Sequence, residues 1–505
     1  MCTMFFTARL SFTFKSNYPA RAPSKLLPML HTGLHTGRDS NEVCKCGIIG
    51  GGLGGTSAAY YLRQLWGDKP LEVDIFESRS VGGRLALVNV DGQDYEAGGA
   101  VIHPRNRYLG SFAEEFGLGR KELNRRTLGL FNNEEGLYFK TSPWKFISRA
   151  KVFARYGRDI KRVQKLVAET MVPFDRIYDH QNKGVAFTTL ENLLDSMDEH
   201  FVEHTQTTTA NMLRAAGFSD RFINELAKGS LMGNYSQTIH APGFLGTVSM
   251  AGVESGLWKI PGGQKQFPEK LLEASGATLI HGEVTSVFRA ASPRRTVSYE
   301  VQYKKAPRES GRKKYDVLII AAPLDPGRKN QIQFEDFPGG LDLPKIPYHP
   351  LQVLFTHGKM NKNFCGKQNV PTHIMATDTD IFFNKIQKQT SVNNGKDRGK
   401  SDYGVWKIYL KNTPTEEQLG SIFDDRKDMC LLLWRAFPEY TLTMELPPFV
   451  LHDRLYYANA IEAAATSMEM AVIGGRNVAN LAFNQWFDHT DRIDSVKNPS
   501  HLLHK

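Results

Sequence analysis

Ordered alternation of apolar and polar positions begins at Val43. The run Cys46-Gly-Ile-Ile-Gly50 predicts a short buried strand. The small and apolar residues 56–63 predict a helix, and residues 71–76 a second strand that ends at Glu77. Further strands are expected at 282–287 and 315–322, then a strand reaching from 455 to Glu462 and a helix from near Ser467 through about Leu481. Between these blocks, residues 112–116 and the series Ile160, Val163, Val167, Met171 have helical spacing, the latter stopping before Pro173. Residues 351–356, 403–410 and 430–434 read as strands. The order predicts an α/β fold: a discontinuous Rossmann-like FAD-binding domain (43–105, 255–330, 450–485) with an inserted α+β substrate domain. That domain is mainly helical over 106–254 and mixed over 331–449, leaving a leader or disordered tail at 1–42 and a C-terminal tail at 486–505. The polar, lysine-rich stretches 304–314 and 384–403 are expected to be solvated loops. No stretch of 18 apolar residues occurs, so no membrane-spanning helix is expected.

The glycines give the first block its chemistry. Gly50, Gly52 and Gly55 form GxGxxG between strand and helix, and Glu77 follows the third glycine by 22 residues. Gly50 makes the tight turn, Gly52 admits a pyrophosphate to the backbone, and Gly55 lets helix and strand pack closely. The helix N-terminus offers unpaired N–H groups to the phosphates, and Glu77 would accept from the adenosine ribose. Beyond the second strand, Gly82-Gly83-Arg84 resembles the doublet that, in a large class of flavoproteins, bears on the FAD pyrophosphate and ribityl chain. Gly98-Gly99-Ala100 resembles the segment passing beside the flavin ring. These features select FAD over NAD. Val284 lies in the strand expected to meet the adenine. Glu462 is expected near the phosphate and ribityl side. Ser467 and Met468 begin a helix aimed at the flavin N1–C2=O edge, where negative charge gathers on reduction.

Composition adjusts this picture in few places. The 505 residues suggest two domains. The net charge of +10 is spread over separate clusters without a nucleic-acid motif, so no nucleic-acid partner is expected. Five cysteines, among them the CxC pair Cys44 and Cys46, argue against both a disulfide framework and a metal site. The first 38 residues carry five basic residues and no acid, like a mitochondrial transit peptide; a disordered tail and a mis-assigned first exon are the alternatives. Residues 144–167 interleave basic and apolar residues as in a helix at a membrane interface. We favour the other reading, a helix packed on its own domain with a charged outer face.

With the substrate-domain residues added, the chain resembles the prenylcysteine oxidase (prenylcysteine lyase) family. The resemblance is carried by 54–63, 81–86, 95–104 with its Val101-Ile-His-Pro104, 234–237, 255–258, Gly262-Gly263 and 451–457. It covers about residue 45 to the C-terminus. Departures are Gln264, where the family has asparagine, and Ser236, where it has glycine. Ser236 creates an N-x-S sequon at Asn234, expected to be unglycosylated. The resemblance implies oxidation of farnesyl- or geranylgeranyl-cysteine to cysteine, a prenyl aldehyde and hydrogen peroxide, with molecular oxygen as acceptor, in a lysosome. The N-terminal composition keeps the mitochondrion as the alternative. His103 is the catalytic candidate, handling the added water or merely bonding a turn. His452 and Asp453 are either an oriented pair or a satisfied strand end. The competing functions are an FAD amine or polyamine oxidase and a non-catalytic flavin-binding relative.

Overall fold

The computed structural model describes residues 42–123, 127–252, 256–291, 297–305, 309–365, 370–393 and 403–496. The expected leader, apart from Glu42, lies outside them, as do the last nine residues of the expected C-terminal tail.

The strand Cys44–Ile49 is buried everywhere except Lys45 and forms the middle of a six-stranded sheet. It pairs in parallel with Leu71–Glu77 on one side and Val317–Ile320 on the other. Thr278–His281 and Leu455–Tyr457 extend the sheet in parallel, and the antiparallel Val450–His452 closes its edge. Strands covered on both faces need side chains apolar on both, which is why Val317–Ile320 is an unbroken apolar run. The helices Leu53–Trp66, Gln266–Ser275 and Met468–Trp486 pack together beside this sheet. A Cβ on Gly475 would lie 2.4 Å from the Gly54 carbonyl oxygen, so the first and last of these helices touch backbone to backbone. A four-stranded sheet (Glu309–Tyr315, Val297–Lys305, Glu283–Ala291, Gln333–Glu335) meets the first sheet through Tyr303 and Tyr315 against Phe76.

The second large sheet has seven strands in the order Phe423–Pro438, Tyr348–Met360, Tyr403–Leu410, Phe383–Lys388, His373–Ala376, Leu128–Asn132, Gly136–Lys140. Both insertions therefore build it, although the first is otherwise helical. Boundaries shift slightly from the expected ones. The helix Arg107–Glu115 packs on the helix Met468–Trp486, and Gln333–Glu335 joins the four-stranded sheet.

Several local expectations need correction. Residues 144–167 do not form one helix: Lys145–Tyr156 and Asp159–Phe174 are separated at Gly157, whose φ of 52° breaks the helical path. The second helix runs through Pro173 in its last turn, where proline, having no N–H, makes no bond back to the Glu169 carbonyl. Residues 304–314 belong mostly to a β-hairpin, in which buried Tyr303 and Tyr315 alternate with exposed lysines; its turn, 306–308, lies outside the described residues. Residues 384–388 are strand, and 394–402 lie outside the described residues. The strand expected to reach Glu462 stops at Tyr457, and a 3₁₀ turn, Ala458–Ala463, carries that glutamate. The closing helix continues past Leu481 to Trp486.

Candidate active site

The glycine turn is fixed by backbone contact. A Cβ on Gly55 would sit 2.0 Å from the Gly50 carbonyl oxygen, and one on Gly50, itself at φ 114°, 2.7 Å from the Ala321 carbonyl oxygen. Gly52 differs: a Cβ there would meet only Gly83 Cα, at 4.0 Å. A Cβ on Gly83, at φ 57°, would press on Gly52 Cα at 3.3 Å, so the open space lies at Gly52. The Gly82 N–H donates to the Gly51 carbonyl at 2.9 Å and holds the two loops together. No side chain caps the helix Leu53–Trp66 and no acid lies in its first turn. Free helix-terminal N–H groups beside a gap bordered by glycines are a donor set that fits a dinucleotide pyrophosphate.

Glu77 ends its strand against this turn. Its carboxylate accepts from the N–H groups of Gly51 and Arg79, both at 2.8 Å. Its carbonyl accepts from the Gly282 N–H at 2.9 Å, and this bond delivers buried Val284 to the same end of the sheet.

Arg84 leaves the Gly82-Gly83 turn and forms a two-pronged ion pair with Glu462, one bond at 2.9 Å, and donates to the Ala436 carbonyl at 2.7 Å. Glu462, buried, also accepts from Tyr348 Oη at 2.8 Å and Asn459 Nδ2 at 2.7 Å. Burial works against the Arg84 charge, but the Glu462 carboxylate outweighs it and raises its pKa above the ordinary arginine value. The same carboxylate adds to burial in holding the Tyr348 phenol well above its usual range. Glu462 therefore lies at the site with its oxygens committed to protein donors. It positions the loop that carries Gly82 and Gly83.

The segment 96–100 passes between the two halves of the protein. A Cβ on Gly98 would collide with the Arg84 carbonyl oxygen at 1.9 Å and meet Trp434 at 3.1 Å; one on Gly99 would meet Leu85 at 2.9 Å and Met468 at 3.3 Å. Met468 opens the closing helix, and Ser467 caps it by accepting from the Met470 N–H at 3.2 Å. The sequence-designated residues Gly98, Gly99, Ser467 and Met468 are thus brought together.

Two residues that the sequence did not mark as part of the site fix this segment. Lys407, buried on the strand Tyr403–Leu410, donates to the carbonyls of Ala97 (2.8 Å) and Glu96 (3.1 Å), with the rings of Phe355 and Tyr409 within 5.4 Å. Gln264 donates its backbone N–H to Glu96 Oε1 at 2.7 Å and its side chain to the Ala100 carbonyl at 3.4 Å. Burial pushes the Glu96 carboxyl up to about 7, against the opposing pull of the Gln264 N–H and the Lys407 charge. A charged residue between Trp406 and Ile408 was a signal the sequence offered, since a lysine inside an apolar strand must be satisfied by something.

His103 bonds within its own turn. Its Nδ1 accepts from the Arg105 N–H at 3.2 Å, and its own N–H donates to Asn106 Oδ1 at 2.7 Å. An Nδ1 that accepts leaves the neutral ring's proton on Nε2. His452 and Asp453 are engaged at a strand end. The His452 ring meets Tyr299 Oη at 2.8 Å, which donates to the Asp453 carbonyl at 2.5 Å, and Asp453 accepts from Gln485. Burial holds the His452 pKa below its ordinary value.

Comparison with known proteins adds the following. The prenylcysteine lyase family model matches residues 139–495, and the model of an NAD(P)-binding Rossmann-like domain matches 48–116. Prenylcysteine oxidase 1 of Homo sapiens is 36% identical over 462 residues, covering 89% of this chain and 91% of that protein. Prenylcysteine oxidase 1-like of Bos taurus is 32% identical over 470 residues, covering 91% and 94%. Among solved structures, putrescine oxidase bound to putrescine (TM-score 0.55, 14% identity, 87% and 99% of the two chains) shares the fold. So does cyclohexylamine oxidase from Brevibacterium oxydans (TM-score 0.55, 14%, 88% and 99%).

Proposed function

Because the chain belongs to the prenylcysteine lyase family, we propose that it is an FAD-dependent thioether oxidase that cleaves farnesyl- or geranylgeranyl-cysteine. The balanced reaction takes prenylcysteine, water and oxygen to cysteine, prenyl aldehyde and hydrogen peroxide. The reading is carried by the coincidence of a glycine-bordered pyrophosphate gap with 36% identity to prenylcysteine oxidase 1 over 89% of the chain.

FAD, when bound, supplies a two-electron acceptor for the hydride at the carbon next to sulfur. The chain's own tasks are binding and placement. Gly52, Gly83 and the N–H groups of the helix Leu53–Trp66 would hold the pyrophosphate, Glu77 the ribose, and Gly98, Gly99 and Ala100 the ring's flank. Ser467 and Met468 open the helix whose positive end would stabilise negative charge gathered on the ring edge. Arg84 and Glu462 lock the Gly82–Gly83 loop, while Lys407 and Gln264 hold the flank rigid. Such fixed geometry is what a reaction with an allyl- and sulfur-stabilised centre chiefly requires. His103 would position the water that adds to that centre.

The proposal extends to a lysosomal location and to peripheral contact of residues 144–167 with the membrane from which a prenylated amino acid partitions. Imaging of the endogenous protein tests the location, and co-localisation with a mitochondrial marker overturns it.

Mixing the holoprotein anaerobically with farnesylcysteine tests the chemistry: the flavin absorbance should bleach. Admitting oxygen should then yield one aldehyde, one cysteine and one peroxide per turnover. Bleaching by amines alone would make it an amine oxidase, and bleaching by neither a non-catalytic relative. His103→Ala should keep its flavin and lose about 10²–10⁴ in turnover; a near-normal rate removes His103 from the mechanism.

A further inference from the structure

The helix Lys145–Tyr156 is attached by one face only. Tyr156 is buried and donates to Glu225 at 2.8 Å, Arg155 makes a two-pronged pair with the same carboxylate, and Val152 packs on the core. The opposite face is bare. Phe146, Ala150 and Phe153, spaced i, i+4, i+7, form one stripe. Phe146 is 71% exposed, Phe153 60%, and Trp144 at the helix start 67%. Three exposed aromatic rings within ten residues are far from the scattered single apolar residues of an ordinary surface. The next helix, Asp159–Phe174, turns Val163, Leu166 and Val167 inward and leaves Val172 exposed near its far end, so the aromatic stripe belongs to the first helix.

Positive charge surrounds the stripe without compensation. Lys145, Arg149, Lys151, Arg158 and Lys161 make no ion pair among the described residues, whereas the nearby acids are committed inward. Glu225 serves Arg155 and Tyr156, and Asp159 serves Arg162 and Ser219. The Lys140 ammonium is held below its ordinary pKa by burial and by the like charge of Lys151. At the C-terminal end of the helix, a groove of about 530 Å³ is lined by Arg155, Arg158, Arg162 and Arg221.

We propose that this face docks on an anionic phospholipid bilayer. Trp144, Phe146 and Phe153 enter the headgroup boundary, and Lys145, Arg149, Lys151, Arg158 and Lys161 lie on the lipid phosphates. Aromatic rings are favoured at that depth, and each basic residue near a negative membrane surface adds to the attraction. The inference deepens the prenylcysteine reading by putting the protein where a prenyl chain resides. Its test reads binding and not turnover, so the two fail separately.

The holoprotein is sedimented with vesicles of phosphatidylcholine, with and without phosphatidylserine. Binding should require phosphatidylserine and weaken with salt. Phe146→Ser/Phe153→Ser alters only exposed positions, so flavin content and circular dichroism should be unchanged while vesicle partitioning falls at least about tenfold. Lys145→Glu/Lys151→Glu should abolish the preference for phosphatidylserine. Unchanged binding by the Phe146→Ser/Phe153→Ser variant overturns the proposal, as does the absence of binding to either vesicle. Conversion of a dimer to a monomer by that variant also overturns it, by assigning the face to a second copy of the chain.

Discussion

Substituting Glu462 by glutamine isolates the role of the Arg84–Glu462 pair. The carboxylate is buried and receives four bonds: two from Arg84 and one each from Tyr348 and Asn459. Glutamine keeps the volume but removes the charge and turns an N–H₂ group toward donors. Arg84 is then left with the Ala436 carbonyl alone. Breaking a buried pair from one side costs about 3–5 kcal/mol. Because the Arg84 side chain is 31% exposed, the lower end applies. With about 2.1 cal/mol/K per residue over the roughly 430 described residues, unfolding entropy is about 0.9 kcal/mol/K, so about 3 kcal/mol lowers Tm by about 3 °C. Removing both charges, as Arg84→Met/Glu462→Gln, leaves no unpaired charge and should recover most of that loss. Calorimetry of the four proteins of the cycle, each with its flavin-to-protein ratio, measures the coupling. The Glu462→Gln protein should also bind flavin more weakly, because Arg84 no longer holds the Gly82–Gly83 loop. A Glu462→Gln loss under about 1 kcal/mol, or a double variant as unstable as the two single losses added, would refute the assignment of Glu462 as an anchor.

Gly52→Val should fold and purify without flavin, since its branched side chain fills the gap facing Gly83; full flavin content in the absorbance spectrum would misplace the pyrophosphate. Glu96 should make stability fall as pH rises. Its folded pKa of about 7 exceeds the unfolded carboxyl value of about 4.3, so its contribution is complete below about pH 4 and is lost as pH climbs through 7. The difference is worth at most about 3–4 kcal/mol, so Tm at pH 5 should exceed that at pH 8 and Glu96→Gln should flatten the slope. Glu469, raised to about 7 by burial, acts with the same sign. Ser236, at φ 53°, occupies a left-handed position that costs a non-glycine residue about 1 kcal/mol, so Ser236→Gly should raise Tm slightly. The neighbouring Asn234 donates Nδ2 to Ser249 Oγ at 3.1 Å, and glycosidase treatment should leave the electrophoretic mobility unchanged.

What was legible in the sequence was what the backbone demands locally. Gly50, Gly52 and Gly55 lie within six positions, each required by a contact that a Cβ would obstruct or by a gap it would fill. The hairpin 297–315 escaped notice because its exposed strand faces carry a run of lysines that hides a period of two, visible only in the burial of Tyr299, Tyr303 and Tyr315. Periodicity placed Phe146 and Phe153 on one face of a helix but could not say which face meets the protein. The packed reading we favoured suits the helix Asp159–Phe174; the helix before it also packs, through Val152 and Tyr156, but its outer face carries Phe146 and Phe153 as well as charge. Glu462 was read as an acid beside the cofactor because its partner Arg84 is 378 positions away.

The same separation hides from the sequence what Lys407 and Gln264 hold, and it explains why they matter. The segment 96–100 is too short to form an element that packs by itself, so its shape must come from outside. Lys407 reaches it from the seven-stranded sheet and Gln264 from the turn before the helix Gln266–Ser275, while Arg84 meets it from the glycine doublet. Every one of these bonds crosses more than a hundred residues or ends on a backbone carbonyl, and carbonyl acceptors leave no mark in a sequence. The strand Tyr403–Leu410 therefore does two jobs. One face builds the second sheet's core through Trp406, Ile408 and Leu410, and the other sends a buried ammonium to the flank of the proposed flavin site. A change in the second sheet is thereby felt at the cofactor without any contact to it, since displacing Lys407 would release two carbonyls of the segment that Gly98 and Gly99 hold against Arg84 and Met468.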